Sequence, residues 1–194
     1  MPGCYYLGMR PAGFVLTGGQ SSRMGRDKAM LPWRSRPLVE SVAEAVRNAA
    51  GSVTLIGEPE RYADLELPVI RDLRAFLGPL GGLETALKTG LGELNLIVAC
   101  DMPDLAVDSL KRLLKSAEEN EALCTYAKDS NGQAHPLCAV YRSACLPFVE
   151  DAIARRRLRM VDLVRDLDGA PFDWQGAIAN VNTPSEWERW QDDG

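Results

Sequence analysis

The segment from residue 14 to residue 28 restricts the possible fold more than any other part of the sequence. An apolar run stops there at the pair Gly18-Gly19, and three cations follow, at Arg23, Arg26 and Lys28. The run predicts a buried strand whose carboxyl end presents main-chain N–H groups to an anion, because glycine has no Cβ to keep a ligand away. Neither Gly-x-x-x-x-Gly-Lys-Ser/Thr nor Gly-x-Gly-x-x-Gly occurs in the segment. An ordinary β-turn with a solvated basic rim is the alternative interpretation.

Length and charge limit the classes to which the chain can belong. The 194 residues are 46% hydrophobic and 25% charged, which is typical of a globular protein with a substantial core. We expect a single domain over residues 13–194, preceded by an irregular lead-in over residues 1–12. The net charge of −5 argues against a broad surface for nucleic acid. An anionic substrate must therefore be bound by a local group of cations.

The cysteines and the hydrophobic pattern indicate a cytoplasmic protein. Five cysteines are scattered without a Cys-x-x-Cys pair, and the chain has a single histidine. We interpret the cysteines as mostly buried thiols in a reducing compartment rather than as ligands of a metal site. No apolar run reaches the length of a membrane span, and the start of the chain lacks the hydrophobic region of a signal peptide. We therefore expect neither a membrane nor a nucleic acid as a partner.

Short apolar runs alternate with helical patterns through the first two thirds of the chain. Strands are predicted near residues 13–17, 53–56, 67–70 and 94–100, and helices over 38–49, after 82 and over 110–117. Later patterns are apolar runs at 122–127 and 137–141, a helix at 160–167, a strand at 178–181 and a helix start at 183–186. This alternation favours an α/β fold with a mostly parallel central sheet covered on both faces. Ligands bind outside the carboxyl ends of such strands, which places Gly18, Asp72 and Asp101 on one rim.

Asp101 directly follows the most apolar predicted strand and is the candidate magnesium ligand. Mg²⁺ keeps several waters and is held by one or two carboxylates together with substrate phosphates, so sparse acidic ligation is sufficient. Lys28 and Arg23 could stabilise the charge of a triphosphate electrostatically. Asp72 could accept from a base or ribose group or help to hold the metal. The alternatives are that the aspartates only cap turns and that the cations are solvated.

Three further features could contact a substrate. The glycine-rich segment 78–82 admits close approach of a ligand before a helix, although a loop fixed by proline is the alternative. His135 follows a polar loop and could contact substrate, with a structural role as the alternative. The basic segment 155–159 could bind a phosphate or a pterin, or form a solvated helix end.

Several segments are more specific than any single residue. Residues 16–28 resemble the signature Leu-x-Gly-Gly-x-x-x-Arg-Met-Gly-x-Asp-Lys of nucleotidyltransferases. Further segments follow in the order Gly78-Pro79-Leu80-Gly81-Gly82-Leu83, Cys100-Asp101-Met102-Pro103, His135-Pro136 and Asn180-Val181-Asn182-Thr183-Pro184. Together they resemble the molybdenum cofactor guanylyltransferase (MobA) family, in family order and over nearly the whole chain after the first dozen residues.

This resemblance implies a three-layer Rossmann-like nucleotidyltransferase fold and a Mg²⁺-dependent reaction. GMP would pass from GTP to molybdopterin-bound molybdenum, giving the guanine dinucleotide form of the cofactor and pyrophosphate. The implied protein partners are a molybdenum insertion protein and chaperones of molybdoenzymes.

The resemblance also implies roles by position. The nucleotide would be bound by Leu16, Thr17, Gly18, Gly19, Lys28, Asp72 and Asp101. The pterin side would be formed by His135, Arg156, Arg159, Asn180 and Asn182. Arg23, Lys28 and Asp101 would be catalytic, and Asp101 would also hold the Mg²⁺ ion.

The sequence departs from the family pattern after the second predicted strand. Family members often carry an asparagine there, whereas this chain reads Leu55-Ile56-Gly57-Glu58-Pro59. The departure weakens the expectation of a side-chain contact to the nucleotide. The alternative functions are CTP-dependent transfer to the same pterin, transfer to a sugar or polyol phosphate, and a non-catalytic nucleotide-binding module.

Overall fold

The computed structural model describes residues 10–18 and 27–181. Gly19, Arg23 and Asn182 lie outside the described residues, as does the helix start predicted at residues 183–186. The positions expected for these residues therefore stay predictions.

A seven-stranded sheet forms the centre of the described structure. Its strands are β1 (Pro11–Leu16), β4 (Thr54–Ile56), β5 (Val69–Ile70), β6 (Leu94–Ala99), β7 (Cys124–Lys128), β8 (Ala134–Arg142) and β9 (Ala170–Asp173). They lie in the order β5-β4-β1-β6-β8-β7-β9, and β2 (Pro32–Trp33) and β3 (Arg36–Pro37) form a separate hairpin. β8 runs antiparallel to both of its neighbours, whereas the other pairings are parallel. Six strands therefore end at one edge of the sheet, the carboxyl edge, and β8 begins there.

Helices cover both faces of this sheet. They are α1 (Leu38–Ala50), α2 (Pro79–Lys88), α3 (Val107–Glu119), α4 (Leu146–Ala154) and α5 (Met160–Asp166). One core lies between the sheet and the pair α1 and α3, and the other lies beneath α2, α4 and α5. Alternate residues of β1 point to opposite faces of the sheet: Val15 lies in the first core, and Phe14 and Leu16 lie in the second.

The predicted fold class is confirmed, with three layers and a mostly parallel sheet. α1 ends where the sequence indicated, since Gly51 adopts a left-handed conformation with φ of 79° and its N–H donates to the Arg47 carbonyl. Within the described ranges, no helix combines the length and the apolar character needed to cross a membrane.

Two predicted elements were wrong. α2 begins at Pro79, inside the glycine-rich segment, because proline suits the first helical position and Gly82 lets the helix approach Leu16 closely. The strand predicted at 178–181 is irregular backbone, since Ile178 and Val181 are buried by packing against the first core without joining a ladder. The last described strand is instead β9, and α4 was not anticipated.

We expect Gly13→Ala to lower the free energy of unfolding by about 3 kcal/mol, at the upper end of the usual cost of overpacking. A Cβ on Gly13 would overlap the Ser52 carbonyl and a methyl group of Val46, so α1 would have to move away from β1. Urea unfolding measures the change. Leu91→Ala is the control, because Leu91 is exposed and its truncation should change stability by less than about 0.5 kcal/mol. Equal stability of Gly13→Ala and the control would contradict this account of the packing.

Candidate active site

The end of β1 brings Thr17 to the carboxyl edge and fixes it against β4. The Thr17 amide and hydroxyl both donate to the Ile56 carbonyl, at 3.0 and 2.9 Å. A Cβ on Gly57 would overlap the Thr17 hydroxyl. A side chain at residue 57 would therefore collide with the threonine at residue 17, and glycine avoids this overlap.

Lys28 is held in position from two sides. It opens a short 3₁₀ helix, Lys28–Met30, that is capped by Asp27, whose Oδ1 accepts from the Ala29 amide at 3.0 Å. The other Asp27 oxygen accepts from the buried Tyr62 hydroxyl at 3.0 Å. At its far end, Lys28 Nζ donates to the Val181 carbonyl at 3.3 Å. The ammonium group is therefore directed along the carboxyl edge rather than into solvent.

Asp101 follows β6 and is mostly withdrawn from water. Its Oδ1 is buried without a hydrogen-bond partner among the described residues. Burial raises the pKa of Asp101, while the nearby charge of Lys28 partly opposes this shift. A buried carboxylate oxygen with unused lone pairs fits the hard-oxygen donor that a divalent cation requires.

Asp72 supplies a second carboxylate at the same edge. A Cβ on Gly18 would lie only 3.0 Å from Asp72 Oδ2. The absence of a side chain at Gly18 therefore lets this carboxylate approach the end of β1. Its Oδ1 is also buried and has no partner in the described part of the chain. Burial raises the pKa of Asp72, the nearby Thr85 hydroxyl group opposes this shift, and the charge of Glu58 adds to it.

One cleft gathers most of the residues that the sequence assigned to the nucleotide. Its lining includes five of them, Leu16, Thr17, Gly18, Lys28 and Asp101, together with Asp27, Pro79, Cys100 and Leu137. Asp72 adjoins this group through Gly18. No group of three or more potential metal ligands occurs among the described residues, so an ion at Asp101 would complete its coordination with phosphate and water.

The candidate pterin residues come from two separate regions of the chain. Asn180 precedes Val181, and its Oδ1 is buried with no partner within the described ranges. Arg156, with φ of 54°, and Arg159 lie in the loop between α4 and α5. Arg159 is largely exposed and lies 4.0 Å from Asp162.

His135 does not lie open to a substrate. It is buried, and its Nε2 lies 3.0 Å from Asp129 Oδ2. This geometry matches the structural alternative and not the direct substrate contact that was expected of His135. The sequence analysis assigned no role to Tyr62, which donates to Asp27, or to Asp129, which lies against His135. It also assigned none to Asp27, although an aspartate just before a helical turn is a recognisable capping signal.

A triphosphate and its divalent cation fit this arrangement of glycine backbone, lysine and two buried carboxylates. A mostly parallel sheet that presents such groups at its carboxyl edge is characteristic of nucleotidyltransferases. Residues 13–168 match the MobA-like NTP transferase domain, and the chain belongs to this family.

Individual relatives agree with this assignment. The molybdenum cofactor guanylyltransferase of Rhodobacter capsulatus is 34% identical over 191 residues, which cover 95% of this chain and 96% of the relative. The fold is similar to that of molybdopterin-guanine dinucleotide biosynthesis protein A from Archaeoglobus fulgidus, with a TM-score of 0.78, 22% identity and coverage of 93% and 97% of the two chains. It is also similar to a Mycobacterium tuberculosis protein in complex with manganese, with a TM-score of 0.69, 16% identity and coverage of 94% and 98%.

We expect Gly57→Ala to displace the Thr17 hydroxyl and to lower the free energy of unfolding by about 2 kcal/mol. The double variant Thr17→Ala/Gly57→Ala should recover most of this loss, because the overlapping atom is gone. Urea unfolding of the two single variants and the double variant gives the coupling between the sites. Additive effects of the two substitutions would show that Thr17 does not restrict residue 57.

We expect Asp101→Asn to stabilise the protein while removing the charge that the site needs. Because the pKa of Asp101 is raised in the folded state, the cost of its charge is absent below the ordinary pKa of an unfolded aspartate. That cost appears in full once the pH exceeds the raised value. At about pH 8 the melting temperature should rise by about 2–4 °C, as expected for 1 kcal/mol in a chain of this size.

Thermal unfolding across the pH range measures this effect. The gain from Asp101→Asn should shrink as the pH is lowered toward the ordinary pKa of an unfolded aspartate, about 4, because the raised pKa lets the folded carboxyl group take up its proton above that value. Glu119→Gln, at the exposed end of α3, is the matched control and should show no such dependence. A gain that is constant with pH would contradict the assignment to the Asp101 charge.

Proposed function

We propose that this protein is a molybdenum cofactor guanylyltransferase, which transfers GMP from GTP to the phosphate of molybdenum-bound molybdopterin. The observation that carries the proposal is the pair of buried, unpartnered carboxylate oxygens of Asp72 and Asp101 beside Lys28 in a family of NTP transferases. The name of the Rhodobacter capsulatus relative, which matches nearly the full length of the chain, supports guanylyl transfer to this pterin.

In the proposed reaction, a terminal phosphate oxygen of the pterin substrate attacks the α-phosphorus of GTP. The bond between the α-phosphorus and the oxygen that leads to the β-phosphate breaks, and pyrophosphate leaves with that oxygen. The protein needs no covalent nucleophile for this step. Cys100 lines the cleft, but burial raises the pKa of its thiol well above the usual range, so the sulfur stays protonated.

The protein's own groups position the substrates and neutralise charge. Main-chain groups of residues 16–18 contact the guanine nucleotide, with Gly19 extending this contact. Lys28 binds the triphosphate, Arg23 adds a second positive charge, and Asp72 accepts from the base or ribose.

Asp101 is the residue that would hold Mg²⁺, because its buried Oδ1 provides the hard oxygen that this cation prefers. A bound Mg²⁺ ion would neutralise the negative charge that develops on the phosphates. Ionisation of Asp101 is unfavourable without the cation, since burial raises its pKa. Binding of the ion and deprotonation of Asp101 are therefore coupled.

The second substrate would occupy the part of the edge nearer β8. Asn180 carries a buried amide oxygen that can accept from a pterin N–H group, and Asn182 follows two residues later. Arg156 and Arg159 extend the site toward the negative charges of the pterin phosphate. His135 contributes through its neighbours and not by contact.

The choice of nucleotide is tested first, because the sequence departs from the expected family pattern after the second predicted strand, at residues 55–59. Calorimetric titration should show binding of GTP in preference to CTP and ATP, strengthened by Mg²⁺. A preference for CTP would instead assign the protein as a cytidylyltransferase for the same pterin.

We expect Asp101→Ala to reduce pyrophosphate release from GTP, Mg²⁺ and molybdenum-loaded molybdopterin by about 10³-fold or more. The loss follows from removal of the metal-binding carboxylate and is not rescued by higher concentrations of pterin. Glu119→Ala should keep wild-type turnover. Near-normal Mg²⁺-dependent turnover of Asp101→Ala would exclude the metal role, and absence of pyrophosphate with the wild-type protein would exclude the proposed function.

A further inference from the structure

The chain after β9 crosses the carboxyl edge to reach the active site. β9 is the outermost strand beside β7, whereas Asp101 follows β6, so residues 174–181 (the crossing segment) pass the ends of β7 and β8. The Val181 amide donates to the Asp101 carbonyl at 2.9 Å, and the Val181 carbonyl accepts from Lys28 at 3.3 Å. One residue therefore connects the crossing segment to both groups that face the triphosphate.

The crossing segment has no strand or helix of its own to hold it. Its buried side chains Trp174, Ile178 and Val181 pack into the core beneath α1 and α3. At its start, the Trp174 amide donates to the Lys128 carbonyl at 2.8 Å, and the Gly176 carbonyl accepts from the Ser130 amide at 3.1 Å. These two bonds tie the crossing segment to residues 128–130, at the end of β7 and in the loop that follows it.

Asp129 lies in this loop, and its Oδ1 accepts from the amides of Asn131 and Gln133 at 2.9 and 3.0 Å. Its carboxylate also faces the Ile178 amide of the crossing segment. Its Oδ2 lies 3.0 Å from His135 Nε2, and both side chains are buried. The hydrogen bonds from His135 and from these amides hold the pKa of Asp129 below its usual range.

We propose that His135 and Asp129 form a positioning pair that fixes the crossing segment and thereby sets Asn180, Val181 and the Lys28 ammonium group for catalysis. The proposal rests on the proposed function and extends it to a residue that does not contact the substrate. His135 contributes the donor that orients the carboxylate, and the carboxylate holds the loop whose Ser130 amide donates to the Gly176 carbonyl of the crossing segment. Five residues further along, Val181 reaches Asp101 and Lys28.

The test compares two substitutions of His135 with a matched control. His135→Leu fills the buried space but has no donor, whereas His135→Gln places an amide N–H near the position of Nε2. Asn95→Leu is the control, because Asn95 is equally buried and donates to the Tyr141 carbonyl at 3.1 Å, but it lies at the opposite end of β6. Asp129→Asn provides a second test of the pair if His135→Leu does not fold.

Hydrogen exchange of the Ile178 and Val181 amides is the readout that a general loss of stability does not reproduce. In His135→Leu, protection of these two amides should fall by about 10-fold or more relative to that of the β1 amides. His135→Gln and Asn95→Leu should keep the wild-type ratio. The kcat/KM for pyrophosphate release should follow the same order, with a loss of about 10²-fold in His135→Leu, since misplacement of a positioned group has costs of this size.

Each outcome decides the proposal. Selective loss of protection in His135→Leu, or in Asp129→Asn, with recovery in His135→Gln supports the positioning pair. Unchanged protection of the Ile178 and Val181 amides overturns it, as does a loss that Asn95→Leu reproduces. Exchange is measured without substrate, so a wild-type protein that transfers no GMP would overturn the proposed function while the exchange result still decides the structural link.

Discussion

Burial of two aspartate carboxylates at one edge of the sheet is the physical constraint on which the site depends. Removal of a charged group from water is unfavourable unless other groups compensate it, and the described residues leave one oxygen of Asp72 and one of Asp101 without a partner. The packed cores on both faces of the sheet have to offset this cost. Under the proposed function, binding of a cation and a nucleotide would compensate this cost.

Close backbone packing is what makes this burial possible. Gly18 gives Asp72 access to the end of β1, and Gly82 lets α2 lie against Leu16. Thr85 on α2 then bonds the loop after β5, because its hydroxyl accepts from the Leu73 amide at 3.0 Å and donates to the Gly81 carbonyl at 2.9 Å. The glycine-rich segment therefore serves the fold as a helix start as well as bordering the cleft.

The cationic side of the site is built from distant parts of the chain. Tyr62 reaches Asp27 from the region after β4, and Val181 reaches Lys28 from the region after β9. Tyr62 and Val181 lie outside the strands and helices, so both contacts depend on the burial of these two residues for their precision. In the proposed function, a lysine fixed at both ends needs little reorganisation when the phosphates bind, and such preorganisation is a main source of electrostatic catalysis.

Local sequence patterns were sufficient for the fold class and for much of the site. Apolar runs that end near a glycine or an aspartate indicate a buried strand and the residue that follows it, so Gly18, Asp72 and Asp101 could be placed on one edge from the sequence alone. What could not be read was pairing between distant segments. The apolar residues Ile178 and Val181 indicated burial correctly, yet burial does not distinguish a strand from irregular chain that packs into the core.

The role of His135 depends on Asp129 and on a segment more than forty residues later, and the glycine at residue 57 depends on a hydroxyl group forty residues earlier. Chemical identity and local periodicity are properties of the sequence, whereas orientation and partnership arise only when the folded chain brings remote groups within hydrogen-bonding distance.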